Sequence, residues 1–357
     1  GSSSYSEHQQ ARRTLHLDFD VEAWYEWLQP LTFATRFAPL GLAQARALIA
    51  HYRYRYNHGR PLTADELRQL RDLEAAIDAE IRAARSKLGG SAEFFVRLSV
   101  RSPKDAVGVT PEEYEDALRR VEADEAYAGA GAEHETNRRM VALSDCQAGL
   151  AVASGRAAMR LLTSSERIFV DLITATDTEE LYNTHPVNVV LRVWEKRLNH
   201  RMEFRAFVSK GRLTAISQYN HDCYFPEVAR RKEDIRVLLV SYWESEVKAR
   251  VPLADYIVDF AVLGLLEDRR VAVVELNPFA TTTGPALFNW RVDADVLAQG
   301  PLAFRVHEAP LAQIAELVEY SVGEVYSPSE DNAGADEVAW SPRSAEPSQE
   351  GRRCSVM

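Results

Sequence analysis

The chain has 357 residues, 46% of them hydrophobic and 27% charged, and a net charge of -11. It is long enough for one large core or two modest ones, and the acidic balance argues against a general nucleic-acid binder, which must neutralise phosphates. No apolar run approaches the roughly 20 residues of a membrane span, and nothing near the start reads as a secretory signal. The cysteines, Cys146, Cys223 and Cys354, have no CxxC spacing. They fit a reducing compartment, the cytoplasm, with neither a disulfide framework nor a zinc site.

Residues 1–14, opening GSSS, are read as a disordered tail. Residues 15–40 are rich in aromatics (Phe19, Trp24, Tyr25, Trp27, Phe33, Phe37). A packed N-terminal segment and an interaction surface both fit that composition. A helix follows over 42–55. Thr63 and Glu66 then form a capping box, opening a long helix with Leu67, Leu70, Leu73, Ile77 and Ile81 at helical spacing. It ends at Gly89-Gly90.

The next strand is FFVRLS, 94–99. Arg97 interrupts its apolar run, and Arg101, Lys104 and Asp105 crowd the Ser-Pro turn beyond it. Basic groups at a strand end suit an anion; a solvated loop has the same composition. Thr110 and Glu113 cap another helix, with Pro111 at its first position. Residues 123–138 are small, polar and aperiodic, the pattern of a mobile loop.

A helical run over 150–162 precedes RIFVDLI, 167–173, which reads as a strand, and Asp177 caps a short helix. Strands then follow quickly at 188–194, 203–208 and 213–219. In EFRAFV, Phe204, Ala206 and Val208 point one way, and Glu203, Arg205 and Phe207 the other. Lys210-Gly211 turns the last two strands into a hairpin. A helix over 233–250 stops at Pro252.

Residues 255–279, DYIVDFAVLGLLEDRRVAVVELNPF, have the pattern of a second hairpin. Each apolar run carries one carboxylate, Asp259 and Glu275. Glu275 and Asn277 share a face. A turn centred on Glu267 sets Asp259 opposite Glu275, with side chains within roughly 5 Å. A cation between them removes the repulsion, and two carboxylates with an amide oxygen suit Mg²⁺ and nucleotide phosphates. Ordinary acids on a wet face are the other reading of this hairpin. The FATTTGPALFNW stretch that follows reads as core.

From 323 to 357 the chain becomes rich in Ser, Pro, Glu and Ala, a disordered tail. It closes on Cys354-Ser-Val-Met357, a match to the prenylation box. An incidental cysteine in a tail matches as well. One lipid with Arg352 and Arg353 as its only basic support anchors weakly to a membrane. There is no GxxxxGK[ST], and no GxGxxG after a strand.

Taken in order, FVRLSVRSPKDA, VVLRVW, MEFRAFV, LTAISQYNHDCY and VVELNPFATTTGPALFNW resemble the cell division cycle protein 123 (D123) family, a divergent branch of the ATP-grasp fold. The resemblance runs from about Phe19 to Val306. It implies an α+β protein of two lobes with mainly antiparallel sheets and flanking helices, holding Mg-ATP between them. Here that means an N-terminal lobe with a helical region over 15–165 and a C-terminal lobe with the metal site over 166–322.

By position, the resemblance makes Asp259, Glu275 and Asn277 metal ligands. It places Glu203 and Arg205 at the nucleotide, Val190 to Val193 beside adenine, and Arg192 toward the phosphates. Arg97 stands where the family usually has a lysine on the nucleotide, with Lys104 and Asp105 in the turn beside it. Glu275 replaces the more usual aspartate, and Thr163 falls where a lysine is common. The implied role is assembly chaperone for the γ subunit of eukaryotic initiation factor two. The alternatives are an ATP-grasp ligase joining a carboxylate to a nucleophile, and a nucleotidyl transferase or RNA-ligase-like enzyme. Arg97 and Lys104 are the catalytic candidates, with Lys104 the nucleophile of the last reading.

Overall fold

Capping boxes and strand alternation lay down the elements of a two-sheet α+β architecture. The computed structural model describes residues 17–311, apart from Gly89, Val107, Leu265 and Arg269. Cys354 and the expected tails at 1–14 and 323–357 lie outside the described residues. Among the described residues no helix is long and apolar enough to cross a membrane.

The first sheet contains β1 (Thr35–Pro39), β2 (Phe94–Leu98), β3 (Ala151–Val152) and β4 (Asn188–Val193), in the order β1-β4-β2-β3, all antiparallel. One face is apolar: Phe94, Val96 and Leu98 of β2 and Val189 and Leu191 of β4 pack on helices. Those helices are α2 (Leu42–Tyr56), α3 (Ala64–Leu88), α6 (Gly155–Ser164), α7 (Glu166–Ala175) and α8 (Glu179–Thr184). The Thr63 box forms as expected: the Thr63 N–H donates to Glu66 Oε2 at 2.8 Å, and the Glu66 N–H to Thr63 Oγ1 at 3.2 Å.

The second sheet contains β5 (Leu198–Ser209), β6 (Arg212–Gln218), β7 (Tyr256–Leu263), β8 (Arg270–Asn277) and β9 (Ala303–Arg305). Its order is β8-β7-β5-β6-β9, antiparallel except for β6 with β9. The β5–β6 turn is Lys210-Gly211, with φ of +52° and +68°. Both residues are left-handed, as a two-residue primed hairpin turn requires. Phe204, Ala206 and Val208 enter the main core with α10 (Lys232–Tyr242) and its π-helical continuation Trp243–Val247. The short helices α9 (Pro226–Arg230) and α11 (Ala294–Gln299) complete this lobe.

Five expectations change, the smallest being that Thr178 and not Asp177 caps α8, accepting from the Leu181 N–H at 3.1 Å. RIFVDLI is helix α7, because Ser165 caps it by accepting from the Ile168 N–H at 3.1 Å, and Ile168, Leu172 and Ala175 then form one buried stripe. Much of the expected 123–138 loop is helical: α5 (Ala132–Gln147) begins inside it and buries Asn137, Met140 and Val141. The expected helix over 150–162 begins later, since Ala151–Val152 pair with β2 first. The boundary at 165/166 also moves. Residues 166–193 pack with the first sheet, while α1 (Val21–Leu28), α4 (Pro111–Ala123) and α5 pack in the core of the second. Neither lobe is one continuous stretch, because burial follows apolar faces and not chain order.

One histidine gives this packing a pH signature. Burial, then Arg55, lowers the pKa of His51 in α2 from 6.5 to about 4, and its Nδ1 has no partner among the described residues. The unfolded chain therefore takes the proton first as pH falls. Stability is full above about pH 6.5 and is lost down to about pH 4, by on the order of 3 kcal/mol. Denaturant midpoints across that range check this, and His51→Gln should flatten the loss.

Candidate functional site

The site begins as a row of paired residues across the second sheet. Glu275 on β8 pairs with Asp259 on β7, Asp259 with Arg205 on β5, and Arg205 with Ser217 on β6. The loop from Gly264 joins Leu263 to Arg270 as partners, and regular alternation from there would set Asp259 against Val274. A bulge between the Asp259 and Phe260 pairs shifts the register by one residue, so Glu275 meets Asp259. A one-residue slip exchanges faces. The bulge therefore decides that both acids sit on the cleft side.

Charge in the row is closely matched. The Arg205 Nε and Nη2 donate to the two Asp259 oxygens, each at 2.8 Å, and Nη1 donates to the Gly284 carbonyl at 2.6 Å. The Asn277 side-chain amide donates to Asp259 Oδ2 at 3.2 Å. Against the cost of burial, Asp259 raises the pKa of Arg205 and keeps it charged.

The first sheet supplies the facing wall. Phe94, Val96 and Leu98 turn to the helices, so Phe95 and Arg97 turn to the cleft; on β4, Arg192 does the same. Arg97 Nη1 lies 2.6 Å from Glu275 Oε1. Despite burial, Arg97 holds Glu275 down at about 2. Arg192 donates to the Val274 carbonyl at 2.5 Å and to Thr32 Oγ1 at 2.6 Å. Burial and then Arg97 lower Arg192 to about 9, so it stays protonated at neutral pH. These two arginines join the sheets at β8.

Between the sheets lies a cavity of about 500 Å³, with Phe33, Phe95 and Trp194 on its apolar side and Arg97, Lys104, Arg192, Arg205 and Glu203 on its polar side. Lys104 Nζ donates to the Tyr219 hydroxyl at 3.2 Å, and both Lys104 and Arg205 sit 4.9 Å from the Tyr219 ring centre. Against desolvation, Tyr219, Glu203 and Glu275 raise the Lys104 pKa. The Glu203 carboxyl has no hydrogen bond or ion pair among the described residues, and burial raises its pKa. A second cavity, of about 740 Å³, shares Lys104, Arg205, Tyr219 and Glu275 with the first and extends past Asn277 and Thr281.

The structure thus brings together Arg97, Lys104, Arg192, Glu203, Arg205, Asp259, Glu275 and Asn277. It does not bring Val190, which is buried in the main core; the lining comes later on that strand, at Val193, Trp194 and Glu195. Thr163 lines neither cavity and donates to the Met159 carbonyl of its own helix at 2.8 Å. Asp105 is a cap: it accepts from the Ser165 hydroxyl at 2.6 Å and from the Arg167 N–H at 3.0 Å. Sequence reasoning missed Phe95, Trp194, His200 and Tyr219. Alternation alone places Phe95 beside Arg97 and Tyr219 two beyond Ser217, so two of the four were recoverable.

Residues 146–308 match the D123 family model. Over this stretch the chain is similar to the D123 family. The D123 segment contains Arg192, Glu203, Arg205, Asp259, Glu275 and Asn277, while Arg97 and Lys104 precede it. The chain is similar to cell division cycle protein 123 of Candida glabrata, 29% identical over 143 residues, 39% of each chain. It is also similar to the translation initiation factor eIF2 assembly protein of Dictyostelium discoideum, 30% identical over 134 residues, 36% of this chain and 33% of that one. The match thus spans between a third and two-fifths of those relatives. The solved structure of Cdc123 from Schizosaccharomyces pombe has the same ATP-grasp-like fold, with a TM-score of 0.53 at 19% identity, covering 82% of this chain and 98% of that one.

The donor set has the chemistry of a hard cation site, although both Asp259 oxygens accept from Arg205 and Glu275 Oε1 lies against Arg97. Asp259, Glu275 and Asn277 offer two carboxylates and an amide from adjoining paired positions, the oxygen chemistry Mg²⁺ takes. Among the described residues no group of three or more His, Cys, Asp and Glu side chains forms a metal cluster. The remaining ligands would therefore have to be water and phosphate oxygens.

Proposed function

We propose that the chain is an Mg-ATP-binding assembly factor for a protein of translation initiation, with the γ subunit of eukaryotic initiation factor two as its client. The observation that carries the nucleotide half is the row Glu275–Asp259–Arg205 facing Arg97 and Arg192 across one cavity. The names of the relatives support the client half.

In this reading Phe33, Phe95 and Trp194 pack the base. Arg97, Arg192, Arg205 and Lys104 meet the triphosphate, and the Glu203 carboxyl is available to ribose hydroxyls. Asp259, Glu275 and Asn277 hold Mg²⁺, which when bound neutralises phosphate charge. Arg97, Lys104, Arg192 and Arg205 gather four cations around the cavity, balanced in its lining by Glu195, Glu203, Asp222 and Glu275.

The Lys104 pKa bears on the rival chemistries. A lysine raised by its neighbours is protonated at neutral pH and is a poor nucleophile. That disfavours a lysine–AMP intermediate. A ligase has one observation in its favour: the second cavity adjoins the residues assigned to phosphate and leaves room for an acceptor.

One incubation with Mg-ATP, followed by nucleotide analysis and intact mass, separates these readings. The expected outcome is ATP recovered intact and no adduct. ADP released only when a carboxylate and a nucleophile are added would establish the ligase. An added AMP mass, lost with Lys104→Ala, would establish nucleotidyl transfer.

A further inference from the structure

Helix α7 carries more apolar surface than it buries. Ile168, Leu172 and Ala175 form its core stripe, yet Val170 is 50% exposed and Ile173 38%. Val100, just after β2, is 39% exposed. These are three of the six exposed large hydrophobics among the described residues, and Val100 and Val170 both line the second cavity. Scattered surface aliphatics need no explanation, but a cluster at the mouth of a cavity marks an interaction face. The surplus is also why RIFVDLI reads as a strand: it is apolar on both sides, as a buried strand is and a surface helix is not.

The polar part of the same wall is mixed, Arg101 and Arg167 with Asp20 and Asp171, and Arg167 is the group left over. Arg167, Val170, Asp171 and Thr174 line the cavity from one side of α7, at helical spacing. Asp171 is already taken by Arg101, whose Nε donates to it at 2.7 Å. The Arg167 guanidinium, by contrast, has no partner among the described residues; only its backbone N–H is used, on Asp105. Across the cavity Thr281 and Thr282 are exposed, and their hydroxyls have no partner among the described residues, whereas the Thr283 hydroxyl donates to the Pro278 carbonyl.

We infer that the second cavity and its aliphatic lip receive an acidic segment of a polypeptide partner. Its carboxylate pairs with Arg167 at the mouth, and its flanking aliphatic side chains pack on Val100, Val170 and Ile173. A nucleic-acid strand fits less well. It gains little from three exposed aliphatics, and one of the two arginines on this wall is already paired. The inference rests on the reading of the chain as a factor with a protein client. It names the surface through which the partner reaches the nucleotide, since Lys104 and Glu275 border both cavities.

The test uses the full chain and a fluorescein-labelled, capped peptide alternating leucine and glutamate, with polarisation as the readout. Charge-assisted hydrogen bonds of this kind are worth about 1.5–3 kcal/mol, so Arg167→Glu should weaken binding about tenfold or more. Val170→Asp should do likewise by repelling the carboxylate. Both residues are exposed, so the fold and the affinity for Mg-ATP should be unchanged in each variant. A peptide with lysine in place of glutamate should bind Arg167→Glu better than it binds the parent chain.

Equal binding of a glutamine-for-glutamate peptide overturns the inference. So does a preference for a labelled RNA oligonucleotide, or failure of the lysine peptide to recover binding. Failure of the parent chain to bind Mg-ATP would remove the nucleotide reading alone. Failure to capture purified γ subunit would remove the client alone.

Discussion

The Asp259→Asn protein is expected to bind Mg-ATP roughly 100-fold more weakly and to unfold more readily than the parent chain. Asp259 is 1% exposed and accepts both forks of Arg205. The substitution removes a charged oxygen from the proposed cation site. It also leaves Arg205, 8% exposed, as a buried cation without its counter-charge. Removing one partner of a buried pair costs about 3–5 kcal/mol, whereas replacing both by neutral side chains is often tolerated. The double variant Asp259→Asn/Arg205→Met should therefore recover stability without recovering nucleotide affinity. Calorimetric titration and denaturant unfolding separate the two effects. Mg-ATP affinity unchanged in the single variant removes the metal assignment.

Arg97→Ala is expected to lower ATP affinity by about 10- to 100-fold, the loss of one charge-assisted contact. It should also let Mn²⁺ bind without nucleotide. The reason is the 2.6 Å pair with Glu275, in which the arginine side chain is 4% exposed. Arg97 supplies that carboxylate with the positive charge a cation would otherwise bring. In the parent chain Arg97 must leave Glu275 for a phosphate before the carboxylate is free, so cation binding should follow nucleotide binding. Arg97→Lys keeps the charge but loses the planar fork, and its effect should be smaller. Electron paramagnetic resonance titration of Mn²⁺ reads this directly. Parent chain that binds Mn²⁺ as tightly as Arg97→Ala, with no nucleotide added, rules out the competition.

Much of this site was legible from alternation. Period two along EFRAFV put Glu203 and Arg205 on one face, and they are there. The same rule put Glu275 with Asn277. Capping chemistry was legible at Thr63–Glu66 and Thr110–Glu113, because it is local and needs only a few residues of sequence. Arg97 stood out because a charge in an apolar strand must find a partner.

What was not legible has two physical origins. Helix α7 was misread because its apolar content exceeds what either of its faces buries, and only the position of the first sheet shows which residues are left outside. Asp259 does meet Glu275, as the reading of the hairpin expected, but through a bulge that this reading did not contain: a regular ladder from the observed loop sets Asp259 against Val274. The sequence by itself determined which side chains carry charge into each strand and which faces they share. The tertiary structure decided which partner each charge meets. Pairing across strands and across lobes is fixed by packing between segments far apart in the chain, and local propensity does not encode it.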